Sequence, residues 1–286
     1  FDACPLSPLA WSADAAQNLI DCARRRVPAQ IVSTPLAGAT APVTLHGALV
    51  QHTAETLSGV IIHQLAGPGA PVVWGGLPAA FDMRTGNPAS AAIETAMLNC
   101  AAVQIGKYLG FPTNVYLGLS DAKVLDAQAG FEAGTGASLA ALAGADMIAG
   151  AGVLDFVRVF SLEKLVVDAE IIQATRRLAR GIEAHRADEA AALIREAGHD
   201  AEYLSHPHTA EHFRRELHLP SLLIDRDSRD DWEAAGAHTI AARAHARVEA
   251  LLSEPSPHHL PGDVQRELEA VTLAAARPHG MDKLPG

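Results

Sequence analysis

Asp121, Lys123, Asp126, Gln128 and Glu132 crowd in directly behind the apolar run PTNVYLGLS (112–120). A plain turn out of a strand needs one or two polar residues, so the excess asks for a chemical reason. Carboxylates in such a place hold cations or move protons, and a lysine beside a strand end is a candidate for a Schiff base. Acidic residues also suit the N-terminus of a helix, and that simpler use stays open for Asp121, Asp126 and Glu132. Farther along, His208 and His212 in HTAEH have the i,i+4 spacing of a helical metal pair. Glu211 is out of place for the general base of H-E-x-x-H and no third ligand stands near, so packing is the expected role and no metal site is expected. Glu55 and Glu94 fall in otherwise apolar helical stretches, where a carboxylate is costly unless paired.

The surrounding pattern says what must position these groups. FDACPLSPLAW (1–11), QIVSTPLAG (30–38), PVVWGGLPA (71–79), PTNVYLGLS (112–120) and DMIAGAGVLD (146–155) are short apolar runs. Each precedes a helical stretch, at 12–27 (with Ser12 as cap), 44–67, 89–110, after 120, and 161–185. Strand-then-helix units of this kind predict a parallel sheet covered by helices, with the ligand site at the carboxyl ends of the strands. Residues 1–185 are expected to form this βα-repeat portion. Residues 186–286 are expected to be a helical extension, with helices over 188–197, 208–217, 230–252 and 262–276. Gly134-Thr135-Gly136 is a weak fragment of a dinucleotide fingerprint, and its place within a helix points to packing.

Composition narrows the function. The chain has 286 residues, of which 49% are apolar, and 22 basic against 33 acidic residues give a net charge of -11. A nucleic-acid partner needs a concentrated basic surface, so none is expected. Apolar runs fall short of the ~20 residues of a membrane span. Cys4, Cys22 and Cys100 are too few and too scattered for a disulfide framework, which makes a reducing cytoplasm the expected compartment.

Five long segments carry a resemblance: APVTLHGALVQHTAETLSGVIIHQLAGPGAPVVWGG, DMRTGNPASAAIE, SDAKVLDAQAGFEA, LAALAGADMIAGAGVLD and HTAEHFRRELHLPSLLIDR. Together and in this order they resemble the trimethylamine methyltransferase (MttB-like) family. The resemblance implies a TIM (β/α)8-type barrel whose first strands precede Phe1, with a helical C-terminal extension. It also implies transfer of a methyl group from an amine to the Co(I) of a corrinoid (cobalamin) carried by a separate corrinoid-binding protein, with no tightly bound cofactor here. A homo-oligomer is expected. The trimethylamine-specific members are credited with pyrrolysine, whereas only the twenty standard residue types occur here. That favours a quaternary amine such as glycine betaine, whose leaving group departs neutral and needs no proton.

Such a cation asks for aromatic faces and carboxylates. By position the candidates are Trp74, Phe81 and Tyr116, each with core packing as the alternative, together with Asp82, Asp121, Asp126 and Glu132. Arg84 could grip a substrate carboxylate bidentately or serve as a solvated turn residue. Small residues at the strand ends, Ser7, Gly75, Gly76, Gly118, Gly150 and Gly152, are where a flat corrin could approach the backbone. A metal-dependent lyase or aldolase and a non-catalytic amine-binding protein are the competing classes. The first would need a strand-end lysine, for which Lys123 is the candidate, or an Asp/Glu/His triad.

Overall fold

The computed structural model describes residues 1–183, 187–199, 202–254 and 260–283. The expected division between 185 and 186 lies outside the described residues. The chain separates into two compact units, Phe1–Val248 and Glu249–Gly286. Among the described residues no helix is long and apolar enough to cross a membrane.

The strands are β1 (Asp2–Ala3), β2 (Ala29–Ser33), β3 (Leu36–Ala37), β4 (Val72–Gly76), β5 (Ala79–Asp82), β6 (Asn87–Ala89), β7 (Asn114–Val115), β8 (Met147–Ile148), β9 (Val153–Leu154) and β10 (Val159–Phe160). The helices between them are α1 (Ala13–Arg25), α2 (Leu45–Ala66), α3 (Ile93–Tyr108), α4 (Ala127–Leu142) and α5 (Leu162–Arg180). Strand β2 runs parallel to both β1 and β4. A parallel bridge from Trp74 to Thr113 carries the order on toward β7, which pairs in parallel with β8. Four of these five helices start where the sequence supplies a side-chain cap, and α3, which follows Ala92, has none. Ser12, Thr44, Asp126 and Ser161 accept backbone N–H groups at the starts of α1, α2, α4 and α5.

The two faces of this parallel run differ. One packs on helices: Ala3, Leu19, Ala29, Ile31 and Val60 form one core cluster, and Ala96, Val103, Val115, Leu117 and Ala140 another. The opposite face is polar. Gln30 accepts from Asn114 Nδ2 at 2.7 Å, and the Tyr116 hydroxyl donates to Asp2 at 2.6 Å and receives Gln30 Nε2 at 3.4 Å. Gly75 makes this possible, because a Cβ there would stand 2.7 Å from Gln30 Cγ.

Residues 79–89 form an antiparallel hairpin of β5 and β6, with Gly86 at φ 70° closing the bend. In the tail, α6 (Ala187–Ala197), α7 (Pro207–Glu216), α8 (Arg229–Ala234), α9 (Ile240–Ser253) and α10 (Gly262–Ala276) follow. The single helix expected over 230–252 is two. Gly236 and Ala237 take positive φ, and the Ala237 N–H turns back to Trp232 O, which stops the first helix.

Candidate functional site

The loop after β7 folds back on α4. Asp126 caps that helix through the N–H groups of Gln128 and Ala129, so Glu132 arrives over the strand end. Its Oε2 accepts the Ser120 hydroxyl at 2.5 Å and the Asp121 N–H at 2.8 Å, while Gln128 Nε2 donates to Oε1 at 2.8 Å. Asp121 is itself buried. Its Oδ2 accepts the Ala91 N–H at 2.9 Å, whereas Oδ1 has no partner. Burial, with the Glu132 charge adding to it, raises the Asp121 carboxyl to about 6 against the pull of the Ala91 N–H and of Lys123. A cavity of about 50 Å³ opens beside Glu132, walled by Ser90, Ala91, Phe131 and Thr135.

Lys123 stands over the same corner. Its Nζ donates to Asp121 O at 2.7 Å, lies 3.5 Å from Asp155 Oδ1 and sits 3.6 Å from the centre of the Phe156 ring. That ring is delivered by an unusual turn: Asp155, Phe156 and Val157 have φ values of 49°, 54° and 68°. Three consecutive non-glycine residues in the left-handed region are costly, and such strain gathers at sites of function. The Asp155 N–H donates to Ala122 O at 3.0 Å, which ties the turn to the Asp121 loop.

Two further carboxylates organise neighbouring strand ends. Glu55, on α2, accepts the Ser7 and Ser33 hydroxyls, the Leu9 N–H and Gln51 Nε2. Burial pushes its pKa up, but these donors together outweigh it and the carboxyl lies below its ordinary value. On α5, Lys164 is fully buried with its Nζ 2.5 Å from Asp168 Oδ2, which also accepts the Gly152 N–H at 2.7 Å. Burial raises the Asp168 carboxyl despite Lys164, and Asp168 Oδ1 has no hydrogen-bond partner. A larger cleft of about 380 Å³ runs between α4 and α5. Alanines and isoleucines form most of its wall, and although Asp146 and Asp168 reach it, no aromatic ring is among its lining residues, so it lacks the aromatic face that a quaternary ammonium asks for.

The structure brings together Asp121 and Glu132 and separates the other sequence candidates. Trp74 is 1% exposed, stacked on Phe111 at 5.8 Å and edge-on to His52, so it packs beneath the helices and offers no ligand face. Phe81 lies in the hairpin opposite Pro88. Arg84, 87% exposed, places two of its N–H groups on Asp82, whose carboxyl it holds down to about 2, so its bidentate edge is already engaged. Tyr116 is on the polar face of the sheet, bonded to Asp2, and Asp126 is a helix cap. Ser7 belongs to the Glu55 cluster.

Nor do the glycines form a cradle for a macrocycle. A Cβ at Gly76 would lie 2.5 Å from Ser33 O, at Gly118 3.1 Å from Ala149 O, at Gly150 3.0 Å from Leu119 N and at Gly152 2.6 Å from Phe160. Packing within the chain accounts for each of them, as it does for Gly75 against Gln30. In α7 the His208 and His212 rings stand 4.4 Å apart, and among the described residues no group of three metal-ligating side chains forms. Sequence reasoning missed Phe156, Asp155, Lys164 and Asp168. The K-x3-D spacing of the last two was visible, but it is the ordinary spacing of a surface pair.

Carboxylates and an aromatic ring gathered behind a parallel run of strands stand where α/β folds place their ligand sites. The chain belongs to the trimethylamine methyltransferase (MTTB) family, whose model matches residues 5–278. It is 35% identical over 270 residues to the trimethylamine methyltransferase MttB of Methanosarcina barkeri, covering 94% of this chain and 54% of that protein. It is 32% identical over 241 residues to the glycine betaine methyltransferase of Desulfitobacterium hafniense, covering 84% and 50% respectively. The chain thus spans about half the length of the curated relatives it matches.

Proposed function

We propose that this chain forms the amine-binding part of a methyltransferase, and that its substrate is a quaternary ammonium compound of the glycine betaine kind. One observation carries the reading: Asp155 and the Phe156 ring hold the Lys123 ammonium, the Asp121 carboxyl lies within its electrostatic reach, and Glu132 joins the same corner through the Asp121 N–H. Three carboxyl groups against one ammonium leave the corner able to hold further positive charge. An aromatic face and a buried carboxylate are what a trimethylammonium head requires, since it has no N–H to donate.

The chemistry asks little else of the protein. Displacement at the methyl carbon releases a neutral tertiary amine, so no general acid is needed and alignment supplies most of the gain. We assign the acceptor to a corrinoid on a separate protein on the strength of the family resemblance. Its Co(I) would supply the nucleophile when present, and no docking surface for it is assigned to the strand-end glycines. We also propose that β1, β2, β4, β7 and β8 belong to a (β/α)8-type barrel, a reading supported by their parallel pairing and by the helices along one face.

The relatives named for trimethylamine keep a tertiary amine as the second reading. The test is methyl transfer by the complete gene product to a reduced corrinoid protein, over a panel of glycine betaine, other quaternary amines and trimethylamine. Turnover with quaternary amines alone supports the proposal. Turnover with trimethylamine alone replaces it with the second reading.

A further inference from the structure

Helices α2, α3 and α4 neighbour one another in that order on the helical face of the sheet. They contain 22, 16 and 16 residues, yet Glu55, Glu94, Lys107 and Glu132 are their only Asp, Glu, Lys or Arg side chains, whereas such residues make up 19% of the whole chain. Two of the four turn inward, Glu55 to the β1 and β2 loops and Glu132 to Ser120 and Asp121. Lys107 is paired with Asp146 at the far end of α3, and Glu94 occupies its first turn. The outward surface between is free of charge.

That surface is also apolar. Val50, Ile61 and Leu65 follow one another along α2, Met97 and Tyr108 along α3, and Phe131 stands on α4, every one of them more than half exposed. Tyr108 is 89% exposed and Leu65 81%. A helix on the rim of a soluble α/β domain ordinarily turns charged side chains outward. Three adjacent helices that do not, each some 24 Å or more long and spaced about 10 Å apart, present on the order of 700 Å². Monomeric proteins seldom leave so large an apolar patch open, and the area approaches the ~800 Å² per partner of a stable interface.

We propose that the outer face of α2, α3 and α4 is a self-association surface, covered by the same face of a second copy of this chain. Electrostatics select that occupant. With a net charge of -11, two copies repel over most of their surfaces, and a charge-free face is where they meet at least cost. A neutral apolar face is complementary to itself, which is the condition for a two-fold contact.

The test is the mass of the complete gene product in solution, by light scattering at micromolar concentration, for the wild type and for Leu65→Glu and Tyr108→Glu, singly and together. Both side chains are largely exposed, so their replacement removes little packing from the monomer, and circular dichroism verifies the fold. The expected result is a wild-type mass at least twice the monomer and a halving in the double variant. A monomeric wild type overturns the proposal. So does a double variant that is folded and still associated, or a wild-type monomer in which these residues are shielded by other parts of its own chain.

Discussion

The Asp121 N–H donates to Glu132 Oε2 at 2.8 Å while the carboxyl of Asp121 is buried with Oδ1 unpartnered. One carboxylate therefore anchors the loop that carries the other. Because burial raises Asp121 to about 6, it is protonated below that pH and charged above it. Affinity for a quaternary ammonium ion should rise as pH increases through about 6, and Asp121→Asn should remove the step. Calorimetric titration from about pH 5 to about pH 8 measures it.

The Phe156 ring should contribute directly to such a cation. Phe156→Ala is expected to weaken quaternary-amine binding by ~0.5–2 kcal/mol, and Phe156→Tyr to preserve it. Trp74→Ala should leave affinity in the folded variant unchanged, because Trp74 is core, while costing ~3–5 kcal/mol of stability by chemical denaturation.

Acid sensitivity should trace in part to His52. The ring is fully buried, and burial lowers its pKa from 6.5 to about 4, against the opposing pull of the Gly75 carbonyl and Glu55. Between those values the unfolded chain binds a proton that the folded chain refuses. Stability therefore increases as pH rises from about 4 to 6.5, by up to ~3 kcal/mol from this group alone. Urea unfolding of the wild type and His52→Gln across that window should show a shallower pH slope in the variant.

Two glycines of α4 should respond oppositely to alanine. A Cβ at Gly136 would fall 2.2 Å from Leu117 O, whereas at Gly134 it would meet nothing within 4 Å. Gly136→Ala should destabilise by ~1–3 kcal/mol through overpacking. Gly134→Ala should stabilise by ~0.5–1 kcal/mol through helix propensity. Thermal melts of the two variants decide it.

Removing the Glu55 carboxylate should be among the most damaging single changes. Glu55→Ala strands two hydroxyls, the Leu9 N–H and the Gln51 amide at once. A loss of roughly 3 kcal/mol or more is expected, against ~1 kcal/mol for Ser7→Ala, both read from denaturant midpoints.

Local signals were legible where they act over a few residues. Ser12 as a cap, the boundaries of α2 and the packing role of Gly136 all follow from short-range rules. The direction of Trp74 does not. In a short parallel strand both faces are shielded, so nothing in VVWGG tells which of Trp74 and Gly75 turns toward the helices. Glu132 could be picked out because its polar neighbours cluster in sequence. Phe156 could not, because it reaches Lys123 only through three left-handed residues that no composition rule anticipates. The Lys164–Asp168 pair looked like a surface pair because burial is set by what α5 packs against, which spacing does not reveal.

The bond from Asn114 to Gln30 spans two strands that are not neighbours, passing over β4 at Gly75, where a Cβ would collide with Gln30. It therefore proofreads register. A slip of β4 by a single residue would bring Trp74 or Gly76 to that position, turning an indole under Gln30 or drawing Gly76 away from Ser33 O. Misaligned sheets would forfeit the brace along with the Asp2–Tyr116–Gln30 contacts beside it, so one glycine lets the chain tell the correct strand alignment from its nearest wrong ones.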